Sequence, residues 1–161
     1  MDTEHARPEP GAVVQPTTVA PRTATAADAC AVDEPSRHLA RERLRTASST
    51  VAVTGAPGPA RSALVRDIAG RLEVTRIDAA DLAREGEQSW IARMVELVLT
   101  HEGVLTIENV EHLPPPQQVV LGRILTGTAA RARLVITAAP DTGASPTLTS
   151  LLSRCVDHLE L

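Results

Sequence analysis

The sequence predicts an α/β protein: a three-layer α/β/α sandwich whose mainly parallel sheet holds about five strands. Three observations predict it. Short runs of Val, Leu and Ile alternate along the chain with stretches of helical apolar spacing. Strands that alternate with helices give a parallel sheet covered on both faces. Hydrophobic residues make up 43% of the 161 residues, enough for one core. The aromatic share is 1%, with Trp90 the sole aromatic, so that core must be built of Val, Leu, Ile and Ala.

Residues 1–33 are rich in Pro, Ala and Thr and show no sustained hydrophobic period. Such a segment cannot bury enough apolar surface to offset its ordering entropy, and a disordered tail is expected. A domain over residues 34–161 follows. Leu39, Ala40, Leu44 and Ala47 fall near helical spacing, with Arg41, Glu42, Arg43 and Arg45 outside, which predicts a short amphipathic helix. Residues 51–54 read as a buried strand and 63–72 as a helix. Residues 74–78 read as a second strand. Ser89 is placed to cap a helix running to Leu99, with Trp90, Met94, Leu97 and Val98 inward. Residues 103–107 form a third strand, 117–125 a helix after a triple proline, 133–138 a fourth strand, 148–154 a helix, and 156–161 an edge strand.

Composition narrows the classes of function. All 16 basic residues are Arg, and the net charge is −4, so no bulk attraction to nucleic acid is expected. Cys30 and Cys155 lie far apart and fit neither a metal spacing nor a disulfide framework; free thiols in a reducing cytoplasm are expected. His101, His112 and His158 do not form a metal cluster, and Ser48, Ser49 and Ser62 lack the partners of a nucleophilic triad. No apolar run reaches the ~20 residues of a membrane span.

Between the first strand and its helix lies Gly55-Ala56-Pro57-Gly58-Pro59-Ala60-Arg61-Ser62. This is the strand–loop–helix setting of the phosphate loop G-x-x-x-x-G-K-S/T, with the second glycine changed to Ala60 and the lysine to Arg61. A phosphate loop aims successive backbone N–H groups and a helix N-terminus at phosphate oxygens. Pro59 removes one of those donors, and Ala60 adds a methyl where phosphate comes close. Arg61 keeps the charge, but its planar guanidinium cannot reproduce a compact ammonium. The nucleotide-contacting residues would be Gly55, Gly58, Ala60, Arg61, Ser62 and Ala63.

The third strand ends in Glu108-Asn109. An apolar strand ending in two acids is the usual Mg²⁺-holding and water-activating partner of such a loop. Ser62 and Glu108 are therefore the candidate Mg²⁺ ligands. Asn109 occupies the water-activating position, where an amide can orient water but cannot take its proton.

Residues 103–114, Gly-Val-Leu-Thr-Ile-Glu-Asn-Val-Glu-His-Leu-Pro, followed by Gln117, Gln118, Leu121, Ile124 and Leu125, resemble the Walker B segment of the AAA+ domain of sigma-54-dependent (NtrC-like) transcriptional activators. That family reads roughly G-T-L-F-L-D-E-I-x-E-L-P and then Q-x-x-L-L-R-x-L. Residues 51–62 are similar to its V-L-I-x-G-E-x-G-T-G-K-E, residues 74–82 to its F-x-x-V-N-C-A-A-L, and residues 133–140 to its V-R-I-I-A-A-T-N, with Pro140 at the sensor asparagine. The resemblance covers roughly residues 36–161. The family's sigma-contacting G-A-F-T-G-A loop is absent from the stretch between Leu82 and Gly103. Its arginine-bearing insertion shrinks to residues 126–132, where Arg131 keeps only the charge. Neither the helical lid nor a helix-turn-helix is found, so no hexamer and no direct DNA binding are expected.

The resemblance implies a cytoplasmic regulatory AAA+ domain of the sigma-54-interaction type. It would have a degenerate site for ATP and Mg²⁺, weak or no hydrolysis, and a protein partner in the transcription machinery or a larger regulator. Loss of the lysine, the acidic base and the sensor together argues against turnover, because positioning and electrostatics supply nearly all the rate in such sites. Two alternatives remain: an active P-loop ATPase in which Arg61 replaces the lysine, and an interaction module that binds no nucleotide.

Overall fold

The computed structural model describes residues 32–46, 49–127, 132–140 and 145–161. Residues 1–31 of the expected tail, with Cys30, lie outside the described residues, as do Ala47, Ser48 and Arg131. Five strands form one sheet: β1 (Thr50–Thr54), β2 (Val74–Asp78), β3 (Val104–Glu108), β4 (Arg133–Ala138) and β5 (Asp157–Glu160). Their order is β2-β3-β4-β1-β5, and every pairing is parallel. Six helices surround it: α1 (Glu34–Arg45), α2 (Pro59–Ala69), α3 (Ala79–Arg84), α4 (Glu87–Thr100), α5 (Pro115–Gly127) and α6 (Pro146–Leu152).

Side chains alternate across each strand, so β1, β3 and β4 feed two cores. Val51, Val53, Val104 and Val135 face α1 and α2, where they meet Leu44, Leu64, Val65 and Ile68. Ala52, Leu105, Ile107, Leu134 and Ile136 face the other helices, where they meet Leu82, Trp90, Met94, Leu121 and Leu151. Trp90 is fully buried in this second core, as its place on an apolar stripe predicts. Because all strands run the same way, Thr54, Asp78, Glu108, Ala138 and Glu160 end at one edge of the sheet, the edge where open α/β sheets bind ligands.

The structure departs from the sequence reading in several places. Leu39 is 47% exposed, and α1 buries Ala40 and Leu44 instead. Asp33 caps that helix by accepting from the Ser36 amide at 3.0 Å, and Val32 is buried. Helix α2 starts at Pro59, earlier than expected; proline is at ease there because the first helical N–H has no partner in any case. Helix α3 was not anticipated. Its only large apolar residue facing the core is Leu82, too little for a periodic signal, and its start is marked instead by the Asp78 carboxylate, which accepts from Ala80 N at 2.7 Å. Helix α4 begins at Glu87 behind Gly86, so Ser89 lies inside the first turn and caps nothing. Among the described residues, no helix is long and apolar enough to cross a membrane, no His, Cys, Asp and Glu group could hold a metal ion, and Cys155 is a free thiol.

Candidate functional site

The site grows from the end of β1, an interior strand flanked by β4 and β5. Gly55 extends the ladder by donating to Ala138 O at 3.0 Å. Its backbone passes so close to Leu161 that a Cβ would lie 2.8 Å from the Leu161 Cβ, so only glycine fits. Gly58 then takes φ 151°, a conformation L side chains rarely adopt, and caps α2. The turn at 55–58 thus lies between the opening strand and its helix. Proline at the first helical position has removed one donor from the N-terminus of α2. The amides of Ala60 and Arg61 remain without acceptors among the described residues, and Ser62 N already bonds Gly58 O at 3.1 Å.

The Arg61 side chain does not follow those amides outward. It is 5% exposed. Its guanidinium turns back under the loop, donating to Gly55 O at 3.1 Å and, through its second terminal nitrogen, to Asn109 Oδ1. Burial pushes its pKa below the ordinary arginine value, while Glu111, Glu108 and Asp78 pull it back up. It remains a cation, since arginine does not lose its proton in proteins.

Asn109 is held at both ends of its amide. Its Nδ2 donates to Asp78 Oδ2 at 2.9 Å, and its backbone N donates to Thr137 Oγ1 at 3.1 Å. It adopts the left-handed conformation (φ 59°, ψ 48°), which asparagine tolerates better than most residues. With its Oδ1 and one of its two Nδ2 hydrogens engaged, the amide keeps a single hydrogen for an incoming water and has no base to take that water's proton. Glu111, on the short 3-10 turn Val110–His112, faces this cluster, and its Oε2 is buried without a hydrogen bond among the described residues.

A second cation closes the site from β2. Parallel pairing sets Asp78 opposite Glu108 and Arg76 opposite Thr106, which puts Arg76 and Glu108 on the α2 side of the sheet together with Val104. Arg76 Nη1 lies 3.3 Å from Glu108 Oε1 and 3.4 Å from Ser62 Oγ.

The structure therefore brings together Gly55, Gly58, Arg61, Ser62, Glu108 and Asn109 at one sheet edge. Ala60 and Ala63 ride on α2 beside them and bring no polar side chain. Arg76, Asp78 and Thr137 belong to the same network and were missed as site residues. Asp78 carried a helix-start signal, a carboxylate followed by Ala-Ala, but Arg76 and Thr137 become visible only once the strand register is known.

This arrangement does not fit Mg²⁺ and a nucleoside triphosphate as it stands. The two oxygens that would hold the metal share one guanidinium, and the residue at the lysine position is spent on internal acceptors. A triphosphate would also add negative charge where three carboxylates already outnumber two guanidiniums.

No protein-family model matches the sequence, and comparison with curated proteins finds no match. Solved structures do resemble the fold. The RuvB Holliday junction branch migration motor of Thermotoga maritima superposes with a TM-score of 0.57 at 18% identity, over 81% of this chain and 45% of that one. A threonine-to-valine variant of the same motor gives 0.55 at 19% identity, over 80% and 45%. The chain thus spans under half the length of these relatives. At such identity the likeness establishes architecture alone: a five-stranded, all-parallel AAA+-like α/β fold.

Proposed function

We propose that this chain is an AAA+-like regulatory domain whose nucleotide edge has become an internal ionic brace. It hydrolyses ATP weakly or not at all and acts through protein contacts. The observation that carries this reading is the inward turn of Arg61, which spends the phosphate-loop cation on Gly55 O and Asn109 Oδ1. The resemblance of ordered sequence blocks to those of sigma-54-dependent activators favours a role in transcription regulation, with a partner in that machinery or in a larger regulator. The missing G-A-F-T-G-A loop favours a partner other than the one that loop contacts. Direct DNA contact and membrane attachment form no part of this reading. Branch migration, the activity named for RuvB, is a weaker reading here, because the net charge of −4 gives no general attraction to DNA.

Isothermal titration with Mg-ATP and Mg-ADP, run beside a phosphate-release assay, tests the proposal. Weak or absent binding and little or no release are expected. Turnover abolished by Ser62→Ala and Glu108→Gln would overturn it in favour of a working ATPase with Arg61 in the lysine's role. A ligand at 100 times its dissociation constant would add about 2.7 kcal/mol of stability, so thermal melting gives an independent check on binding.

A further inference from the structure

We infer that Arg76 is a resident cation that takes the place of a divalent metal between Ser62 and Glu108. The inference rests on the reading of this edge as an ionic brace. It concerns one position, defined by three elements. Ser62 comes from the first turn of α2, Glu108 from the end of β3, and Arg76 from β2, the neighbour of β3. The Arg76 Nη1 approaches both oxygens at once, 3.3 Å from Glu108 Oε1 and 3.4 Å from Ser62 Oγ.

A metal such as Mg²⁺ needs its oxygen ligands at roughly 2.0–2.1 Å in an octahedral shell. It cannot take these two oxygens while a guanidinium nitrogen lies against both, and the like charges repel besides. The strand register makes the substitution durable. Arg76 is fixed two residues before Asp78, whose carboxylate accepts from both Ala80 N and Asn109 Nδ2, so the stem of the arginine cannot drift along the sheet. The charge that joins the α2 N-terminus to the sheet edge is thus built into the chain.

The test uses Mn²⁺ alone, with no nucleotide, so that its outcome is separate from whether ATP binds. Free Mn²⁺ is followed by electron paramagnetic resonance during titration of the 161-residue chain, Arg76→Met, and Arg76→Met with Glu108→Gln. Wild type is expected to show no saturable binding and the same melting temperature in EDTA as in Mn²⁺. Arg76→Met is expected to gain a Mn²⁺ site at least about tenfold tighter than any in wild type, because one like charge is removed. Glu108→Gln is expected to abolish that site. Saturable binding to wild type that Glu108→Gln removes would overturn the inference, as would a folded Arg76→Met that binds no Mn²⁺. Should Arg76→Met not fold, Glu108→Gln in the wild-type background decides the matter. A melting temperature lowered equally in EDTA and in Mn²⁺ supports the arginine as the working cation, and an unchanged one overturns it.

Discussion

Replacing Arg61 by methionine removes the guanidinium while keeping much of the aliphatic stem. The side chain is 5% exposed and donates to Gly55 O and Asn109 Oδ1. Hydrogen bonds made by a charged group are worth about 1.5–3 kcal/mol each, and of the acceptors left behind Gly55 O is buried and Asn109 Oδ1 half-buried. Asp78, Glu108 and Glu111 would also lose the favourable charge interaction that each makes with this cation. Against this, the variant no longer desolvates a guanidinium, which returns several kcal/mol. The balance is a loss of about 2–4 kcal/mol, close to the range for breaking a buried charge pair from one side. For a domain of this size that is a fall in melting temperature of roughly 8–15 °C. Urea unfolding measures it directly, because Trp90 is the sole tryptophan and is fully buried across the sheet from Arg61, an undisturbed reporter of global unfolding. Arg61→Lys should lose about 1–2 kcal/mol, since an ammonium is shorter and lacks the rigid planar fork whose separate nitrogens reach Gly55 O and Asn109 Oδ1. An Arg61→Met midpoint within about 0.5 kcal/mol of wild type, the scatter of neutral surface changes, would refute the reasoning.

Three further outcomes are expected. Gly58→Ala meets open space but forces a side chain onto φ 151°, which should cost about 1–3 kcal/mol in the same urea assay. Asp78→Ala removes the acceptor for Ala80 N and for Asn109 Nδ2, and a loss of about 1–3 kcal/mol with weakened amide-exchange protection at the start of α3 is expected. Burial pushes the Cys155 thiol up to about 12. The folded state therefore favours the neutral thiol, and that contribution is complete below the ordinary cysteine value and is lost as pH rises from about 9 toward 12. In a Cys30→Ser background, iodoacetamide should label Cys155 far more slowly at pH 8 in the folded protein than in urea, and equal rates would contradict the burial.

The strands were legible because Val, Leu and Ile cluster where both faces are covered, and their order along the chain implied the parallel sheet. Leu39 misled because a four-residue helical match does not say which side of Ala40 and Leu44 meets the sheet. The loop at 55–58 was legible from its glycines, and the positions of Arg61, Ser62, Glu108 and Asn109 from their spacing. Their interactions were not. Whether Arg61 points outward or inward depends on an acceptor 48 residues away, and Arg76 joins Ser62 and Glu108 only through the pairing of β2 with β3. Local pattern carries secondary structure; side-chain direction at a sheet edge is decided by partners distant in sequence.

The position of β1 in the sheet bears on how the molecule assembles. Its two neighbours are β4 and β5, which arrive about 80 to 100 residues later in the chain (Thr50 pairs Leu134, Val51 pairs Asp157). Until those segments are made, the most buried strand has both edges open, and Gly55 lacks the Ala138 carbonyl that anchors it. Contacts of such separation close slowly. During synthesis β1 therefore stays without either neighbour until β4 has been made, and the loop that Arg61 holds from below gains its anchor on the Ala138 carbonyl only then.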